Sequence, residues 1–275
     1  MRLVKPSFEI KEQETELNGI YKQIEWAGRH CYKSLDKITE DSAKNFVDRM
    51  IKSGHSAMLE HGTVYLAMPM ESMFPIEANC WSKYVNNKYS KSGIVCEVNG
   101  EKKIAVTTNL RVLVENGWLD DLEYLCEPTE YHEKRITVKF VSDIHFYKDT
   151  TRHRVFSWAI ESTRFCNYIK EKFGSSVSFL TPIWLKSEEQ EEFEEDLKTI
   201  ENIYFKWIEK GWQAQQAAYF LIQGTKAEII MTGFVEDYKH FFDLRSSLAT
   251  TGKPHPTVEE LVEPLRQYFI NNKLI

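Results

Sequence analysis

Residues 95–108 constrain the fold more than any other part of the chain. Asn99 and Gly100 separate two runs of largely apolar and β-branched residues, 95–98 and 104–108. An Asn-Gly pair readily adopts the positive φ angles of a two-residue turn. The segment therefore predicts a β-hairpin, and with it an antiparallel sheet in the first half of the chain.

A long amphipathic helix is predicted in the second half. Between Ser187 and Gly211 apolar side chains recur at helical spacing: Phe193, Leu197, Ile200, Tyr204, Trp207 and Ile208. Ser187 with Gln190 resembles a capping box at the start, and Gly211 suits the end. Strands early and helices late predict the α/β class, with a mixed sheet flanked by helices.

The same periodicities predict nine further elements. We expect strands near 3–10, 64–68 and 136–141, and helices near 17–27, 41–54, 110–117, 151–165, 213–221 and 234–248. No internal repeat or flexible linker interrupts them, so we expect one domain over residues 1–275.

Composition excludes several classes of protein. The formal net charge of −6 disfavours a general nucleic-acid binder. The five cysteines are well separated and never form C-x-x-C, which disfavours a disulfide scaffold and a zinc ribbon. The chain has no apolar run long enough to span a membrane and no signal-peptide core at its start. We therefore expect a cytoplasmic protein with no membrane partner.

One short segment concentrates the cationic and hydroxyl side chains. It contains three guanidiniums, one imidazole and three hydroxyls within thirteen residues: Arg152, His153, Arg154, Ser157, Ser162, Thr163 and Arg164. Guanidinium groups bind phosphate through paired hydrogen bonds. On the predicted helix 151–165 the three- and seven-residue spacings place Arg154, Ser157 and Arg164 on one face. A surface helix whose arginines pair with acids such as Glu161 fits the same pattern, and this alternative stays open.

Side chains must provide most of any phosphate site. The twelve glycines are scattered and never form G-x-G-x-x-G. The Gly252-Lys253 pair has Ser247 where a P-loop requires glycine. Backbone phosphate loops of the familiar kinds are therefore excluded. A metal site at His55, Glu60 and His61 fails the H-E-x-x-H spacing, and no metal is predicted.

Four motifs in order resemble the flavin-dependent thymidylate synthase family. The R-H-R-x-x-S segment is followed by S-x-R at 162–164, and G-R-H-C-Y at 28–32 resembles an early family segment. L-E-H-G-T-V at 59–64 and H-F-F-D-L-R at 240–245 resemble two more. The resemblance covers roughly residues 28–66 and 145–256. Residues 68–145 are longer than in compact members, so we predict an inserted β-rich segment there.

The resemblance implies an activity and a set of ligands. These are FAD as cofactor, dUMP as substrate, NADPH and methylenetetrahydrofolate as co-substrates, and dTMP as product. It also implies a homotetramer with active sites between subunits. The implied FAD contacts are Thr63, Arg152, His153, Arg154 and His240. The implied dUMP contacts are Arg152, Glu161, Ser162, Thr163, Arg164 and Arg245.

Two of these residues are the catalytic candidates. The resemblance places His61 near the folate and flavin and Arg245 against the uracil ring. A fixed guanidinium favours negative charge on the pyrimidine, which methylation at C5 requires. Reduced flavin supplies the hydride. The chain has no Pro-Cys-His segment, so we expect no cysteine nucleophile.

Departures from the family pattern keep other functions open. Ala218 falls where the family has an arginine that helps hold dUMP, and Phe234 where it has an asparagine that meets FAD. The family often has Asn-Glu or Gln-Glu ahead of the second serine, whereas this chain has Ala159-Ile160-Glu161, with the acid one place later than in some members. The family glutamine that precedes R-H-R falls near Asp149. Lys226 or Lys239 could replace the missing arginine. A non-catalytic or repurposed flavin- and nucleotide-binding paralogue is the alternative, and a single-strand-binding module is a weaker one.

Overall fold

The computed structural model describes residues 1–70, 79–98, 100–250 and 252–275. The strands within this part are β1 (Arg2–Val4), β2 (Ser7–Lys11), β3 (Thr63–Pro69), β4 (Lys91–Val98), β5 (Glu101–Asn109), β6 (Arg135–Asp143), β7 (Ser157–Ile160), β8 (Ser178–Leu180) and β9 (Lys226–Phe234). The α-helices are α1 (Leu17–Cys31), α2 (Ser42–Ser53), α3 (Leu110–Asn116), α4 (Ile144–Thr150), α5 (Gln190–Glu209), α6 (Ala214–Ala217), α7 (Val235–Arg245) and α8 (Pro256–Asn271). The mixed α/β class is therefore confirmed.

A four-stranded antiparallel sheet, ordered β2-β6-β9-β7, forms the centre of the fold. One face is apolar and packs against α4, α7 and α8 through a core that includes Phe140, Ile229, Met231, Phe242 and Leu261. Alternate residues point to the opposite face, which α1 covers. That second face carries polar side chains, and it is the more informative face for function.

A three-stranded antiparallel sheet, ordered β3-β5-β4, packs with α1 and α2 around a second core. Its β4–β5 hairpin confirms the prediction for residues 95–108. Gly100 has φ +79°, the left-handed conformation that glycine adopts without steric cost. Asn99 lies outside the described residues.

Most of the long periodic patterns give the predicted helices. α1, α2 and α3 are confirmed, and α2 ends at Gly54 with φ +72°. α5 is confirmed but begins three residues later than predicted, after a 3-10 turn. The Glu189 carboxylate accepts the Lys186 backbone N–H at 3.2 Å, so Ser187 is not the cap.

The helix predicted over 151–165 is wrong. α4 ends at Thr150, a turn follows, and residues Ser157–Ile160 form β7, which pairs with β9. The run Val155-Phe156-Ser157-Trp158 consists largely of β-branched and aromatic residues, which favour strands. The spacing argument that placed Arg154, Ser157 and Arg164 on one helix face therefore fails.

Other boundaries differ from prediction. The helix expected over 213–221 is α6 followed by a 3-10 turn, and the helix expected over 234–248 is the shorter α7. The sequence analysis did not identify β9 or α8.

The single domain and the insertion at 68–145 stay predictions. β6 falls inside that range and is an inner strand of the central sheet, so the whole range is not a separate unit of structure. No helix in the described part of the chain is both long and apolar enough to cross a membrane.

Candidate functional site

The R-H-R segment forms the turn between α4 and β7. The His153 N–H donates to the Thr150 carbonyl at 3.0 Å, which closes the turn after α4. The Phe156 ring is buried against Tyr238 and Phe241 of α7 and anchors the other end. Arg152 and Arg154 are exposed on either side of the buried His153. The turn therefore presents two cations to solvent around a fixed imidazole.

A direct hydrogen bond joins this turn to helix α7. Arg245 Nε donates to His153 Nε2 at 3.2 Å, and Arg245 Nη2 donates to the Asp149 carbonyl at 3.1 Å. Because a guanidinium only donates, Nε2 is the acceptor and the imidazole is neutral, with its proton on Nδ1. Burial, then the charges of Arg245 and His240, lower the pKa of His153 to about 4. The His240 ring lies 6.0 Å from the His153 ring.

The second half of the segment lies in a different environment. Glu161 is buried, and its Oε2 lies 2.9 Å from Lys226 Nζ and 3.3 Å from Lys33 Nζ. Both lysines also pair with Glu228, whose other oxygen lies 2.7 Å from His30 Nδ1. Lys226 is thus engaged by carboxylates, and its replacement of the arginine missing at Ala218 stays a prediction.

Burial alone would raise the pKa of Glu228. The hydrogen bond with His30 and the charges of Lys226 and Lys33 outweigh burial and hold that pKa well below its ordinary range. Burial lowers the pKa of Lys33, but the charges of Glu161 and Glu228 outweigh burial and raise that pKa above its ordinary value. The cluster is therefore a set of internally neutralised charges at the end of α1.

Ser162 to Arg164 form a turn directly after this cluster. The Ser162 N–H donates to the Cys31 carbonyl at 3.0 Å, which fixes the turn to the end of α1. Arg164 is exposed, and its Nε donates to Gln215 Oε1 of α6 at 3.4 Å. Arg164 therefore has no charged partner among the described residues, and its guanidinium can bind an anion.

His61 and Thr63 lie in a buried polar layer between α1 and the central sheet. His61 has no exposed surface, and its Nδ1 lies 2.8 Å from Thr232 Oγ1. Thr232 Oγ1 in turn lies 2.8 Å from Thr137 Oγ1, which accepts from Gln23 Nε2. Burial and the nearby Arg135 charge lower the pKa of His61 to about 3. A ligand can contact His61 only if the covering side chains move, so its catalytic role stays a prediction.

The sequence analysis missed Arg135 at the start of β6. Its Nη1 donates to Thr63 Oγ1 at 3.1 Å and its Nη2 to the Glu60 carbonyl at 3.0 Å, while its Nε has no partner. Burial lowers the pKa of Arg135 to about 10. No motif contains this arginine, and only the packing of β6 in the central sheet against β3 of the three-stranded sheet brings it beside Thr63.

Within the chain, the structure brings together only part of the predicted site. His153, His240 and Arg245 form one group, with Arg152 and Arg154 beside them. Glu161 with Ser162 to Arg164 forms a second group at the end of α1, and His61 with Thr63 forms a third. Among the described residues, no group of three histidine, cysteine or carboxylate side chains is placed to hold a metal ion.

Comparisons with known proteins give one family match and several likenesses. The model of the family described as "Thy1: Thymidylate synthase complementing protein" matches residues 127–266. A flavin-dependent thymidylate synthase from Corynebacterium aurimucosum is 36% identical over 61 residues, which are 22% of this chain and 23% of that protein. The aligned part thus spans about a quarter of that relative's length.

Two solved structures of PolB, a UMP/dUMP methylase from Streptomyces cacaoi, also match. They were determined with 5-Br dUMP and with 5-Br UMP, and each is 12% identical to this chain. The likeness covers 98% of this chain and 93% and 92% of theirs, with TM-scores of 0.46 and 0.47.

The family match covers 140 of the 275 residues, which is more than half of the chain. The matched range, 127–266, includes both the R-H-R turn and helix α7. The chain therefore belongs to the thymidylate synthase complementing protein (Thy1) family, the flavin-dependent thymidylate synthases that its motifs resemble.

Proposed function

We propose that this protein is an FAD-dependent thymidylate synthase. It methylates dUMP to dTMP with methylenetetrahydrofolate as carbon donor and NADPH as the source of reducing equivalents. The observation that carries the proposal is the hydrogen bond from Arg245 to His153. Two motifs that lie about ninety residues apart meet through it on the apolar side of the central sheet.

The residues around the R-H-R turn suit an anionic dinucleotide such as FAD. Arg152 and Arg154 are exposed, and among the described residues neither pairs with a carboxylate. Arg245 keeps His153 neutral, so its Nδ1–H is a donor at neutral pH. His240 adds a second imidazole at the same place. The bound flavin would supply the hydride for the reduction.

Arg245 has the central chemical role in this proposal. Its two bonds, to His153 and to the Asp149 carbonyl, fix the guanidinium plane before any substrate binds. A preorganised cation stabilises charge that develops on a pyrimidine oxygen without reorganisation at the moment of reaction. The chain's contribution is thus orientation and charge.

The dUMP phosphate is assigned to Ser162, Thr163 and Arg164. Their turn is fixed by the bond to Cys31, and Arg164 has no competing carboxylate among the described residues. This group does not contact the His153 group within one protomer. The family resemblance implies a homotetramer with active sites between subunits, and we propose that in it one subunit's phosphate site adjoins another subunit's flavin site.

A repurposed flavin- and nucleotide-binding paralogue is the second candidate. Position 160, at the end of β7, is an isoleucine and offers no carboxylate to a ligand. Its side chain packs against the apolar core. The neighbouring Glu161 is engaged by Lys226 and Lys33. This protein would bind the ligands without forming dTMP.

Flavin content and turnover together test these candidates. Purified protein should show flavin absorbance and should form dTMP from dUMP, methylenetetrahydrofolate and NADPH. Arg245→Ala should lower kcat by about 100-fold or more, since one preorganised donor typically contributes that much. Arg266→Ala, which removes an arginine paired with Glu263 on α8, is the matched control and should leave kcat unchanged.

The outcomes separate the candidates. Flavin absorbance without dTMP formation would favour the paralogue. Protein that binds neither flavin nor dUMP would contradict both candidates. Turnover that Arg245→Ala does not change would remove this residue from the mechanism.

A further inference from the structure

Four buried polar side chains form a continuous hydrogen-bonded series, the polar relay, from helix α1 to the turn before β3. Gln23 belongs to α1, Thr137 to β6 and Thr232 to β9, and His61 ends the 3-10 turn Ser56–His61. The contacts run from Gln23 Nε2 to the two threonine Oγ1 atoms and on to His61 Nδ1, at 3.0, 2.8 and 2.8 Å. None of the four residues is more than 5% exposed. Thr137 and Thr232 face each other in the β6–β9 pairing, so the strand register brings their hydroxyls together.

The protons of the polar relay all find acceptors in one direction. Gln23 donates through its amide nitrogen, Nε2, to Thr137 Oγ1. Each hydroxyl has one proton to donate, and among the described residues the remaining contact of Thr137 is Thr232, and that of Thr232 is His61. Thr137 therefore donates to Thr232, and Thr232 donates to His61 Nδ1. Because Nδ1 accepts, the proton of the neutral imidazole is on Nε2.

The opposite direction is less favourable. It requires the Gln23 amide to accept from Thr137, which would turn its NH2 group to the place where Oε1 lies. Oε1 has no hydrogen-bond partner in the described part of the chain. The turned amide would therefore bury two unpaired N–H donors in place of one unpaired oxygen, at a larger desolvation cost.

The polar relay is incomplete at the far side of the imidazole. His61 Nε2 has no hydrogen-bond partner among the residues that the structure describes. Burial and the Arg135 charge lower the pKa of His61 to about 3, and the Trp158 carbonyl opposes them only in part. The ring is therefore neutral at pH 7 and carries a single N–H. An unpaired buried N–H favours an acceptor such as a carbonyl oxygen.

We propose that Gln23, Thr137 and Thr232 are positioning residues that hold His61 as the tautomer with its proton on Nε2. In this tautomer Nε2 donates a hydrogen bond to a ligand carbonyl and cannot accept a proton as a base. Because His61 is fully buried, the contact forms only when the covering side chains move. The assignment of that ligand to the folate or the flavin rests on the proposed function, whereas the tautomer does not depend on it.

NMR spectroscopy of the full-length protein, with isotopically labelled histidine nitrogens, tests this inference. The nitrogen signals distinguish protonated from unprotonated ring positions, and the signals that disappear in His61→Gln belong to His61. Thr232→Val and Thr137→Val each remove one hydroxyl of the polar relay and keep the branched side chain, whereas Thr232→Ser keeps the hydroxyl. Thr107→Val is the matched control, because Thr107 is 1% exposed and its Oγ1 has no hydrogen-bond partner in the described chain.

In the wild type at pH 7 we expect His61 to be protonated on Nε2, and His153, to which Arg245 donates, to be protonated on Nδ1. Thr232→Val removes one neutral hydrogen bond, so the ratio of the two His61 tautomers should fall by about fivefold. Thr137→Val should change the ratio in the same direction. Thr232→Ser and Thr107→Val should keep the wild-type ratio.

A His61 proton on Nδ1 in the wild type would overturn the inference, and so would a tautomer ratio that neither valine variant changes. If Thr232→Val does not fold, Thr137→Val, one step further from the ring, decides. The nitrogen signals require neither ligand nor turnover. A failed dTMP assay would therefore contradict the proposed function and leave the tautomer measurement intact.

Discussion

The two halves of the segment from Arg152 to Arg164 lie in opposite electrostatic environments. In the first half, Arg152 and Arg154 are exposed, and within the described chain neither pairs with a carboxylate. In the second half, Glu161 is buried and shares two lysines with Glu228. One half offers free charge to a ligand, and the other uses its charges internally.

This difference separates recognition from positioning. A buried, mutually neutralised cluster contributes little net attraction, because desolvation offsets most of the Coulomb energy. Its value lies in fixing geometry: the cluster places the Ser162–Arg164 turn against the end of α1. The exposed guanidiniums keep their full charge for an anion. Charged residues in one motif therefore have different roles according to what surrounds them.

Glu228→Gln should produce the largest loss of stability. The change leaves Lys33 and Lys226 facing only Glu161, and removing one partner of a buried ion pair typically costs about 3–5 kcal/mol. Urea unfolding at pH 7 measures this loss. Asp48→Asn, which breaks the exposed pair with Lys44, is the control and should cost less than about 1 kcal/mol.

The pH dependence of the free energy of unfolding tests the same charge cluster. The folded-state pKa of Glu228 lies below its ordinary value, so its stabilisation is present above about pH 4.3 and is lost as the pH falls. The stability gap between wild type and Glu228→Gln should narrow below that pH. A gap that is small at pH 7, or constant down to pH 3, would show that the cluster does not hold the turn.

Arg164→Ala should weaken dUMP binding by about 1.5–3 kcal/mol, the usual value of a hydrogen bond to a charged group. Arg164 makes only a long bond to Gln215, so its loss should hardly change folding. Calorimetry with dUMP and with FAD measures both affinities, and Arg111→Ala, which removes a half-buried arginine paired with Glu60 and Glu115, is the control. Equal losses for the two ligands, or no loss, would contradict the assignment of this turn to dUMP.

Gly233→Ala tests how the R-H-R turn, the first half of the segment from Arg152 to Arg164, is anchored. A Cβ atom at Gly233 would lie 2.2 Å from the Phe156 ring, which fixes the end of the R-H-R turn. Overpacking of this kind typically costs about 1–3 kcal/mol. Gly224→Ala is the matched control, because only Ile222 lies near its Cβ, at 3.8 Å. Thermal unfolding of the two variants should differ, and equal melting temperatures would mean that Phe156 is free to move.

The last prediction concerns the titration of His153. Its pKa is about 4 in the folded chain and about 6.5 in the unfolded chain. Between these values the unfolded chain binds a proton that the folded chain does not, so stability should rise with pH across this window. His153→Gln should flatten that part of the curve. In Arg245→Gln, NMR titration should show the His153 pKa moved upward, and an unmoved pKa would contradict the contact.

The sequence predicted local, periodic elements best. α1, α2 and α5 have long apolar stripes, and Asn99-Gly100 specifies its hairpin through turn chemistry. β9 was missed because both of its faces are buried, so it has no polar alternation to reveal it. The segment of β7 was predicted as part of a helix, although Val155, Phe156 and Trp158 are β-branched or aromatic residues that favour strands. Its pairing with β9, about seventy residues away, decided the outcome.

The motifs predicted the residues of the candidate site better than its arrangement. R-H-R and H-F-F-D-L-R identified the two elements that meet through His153 and Arg245. They did not reveal Arg135, whose position beside Thr63 depends on how β6 approaches the start of β3. They also did not reveal that Lys226 is already paired with Glu161 and Glu228. Such contacts arise from tertiary packing and leave no local pattern.

The most direct test of the central claim is an experimental structure of the protein with FAD and dUMP bound together. The account predicts the flavin dinucleotide against Arg152, His153 and Arg154, and the Arg245 guanidinium within hydrogen-bonding distance of a uracil oxygen. Arg164 of a neighbouring subunit should contact the dUMP phosphate. Ligands bound elsewhere, with these arginines directed into solvent, would contradict the account.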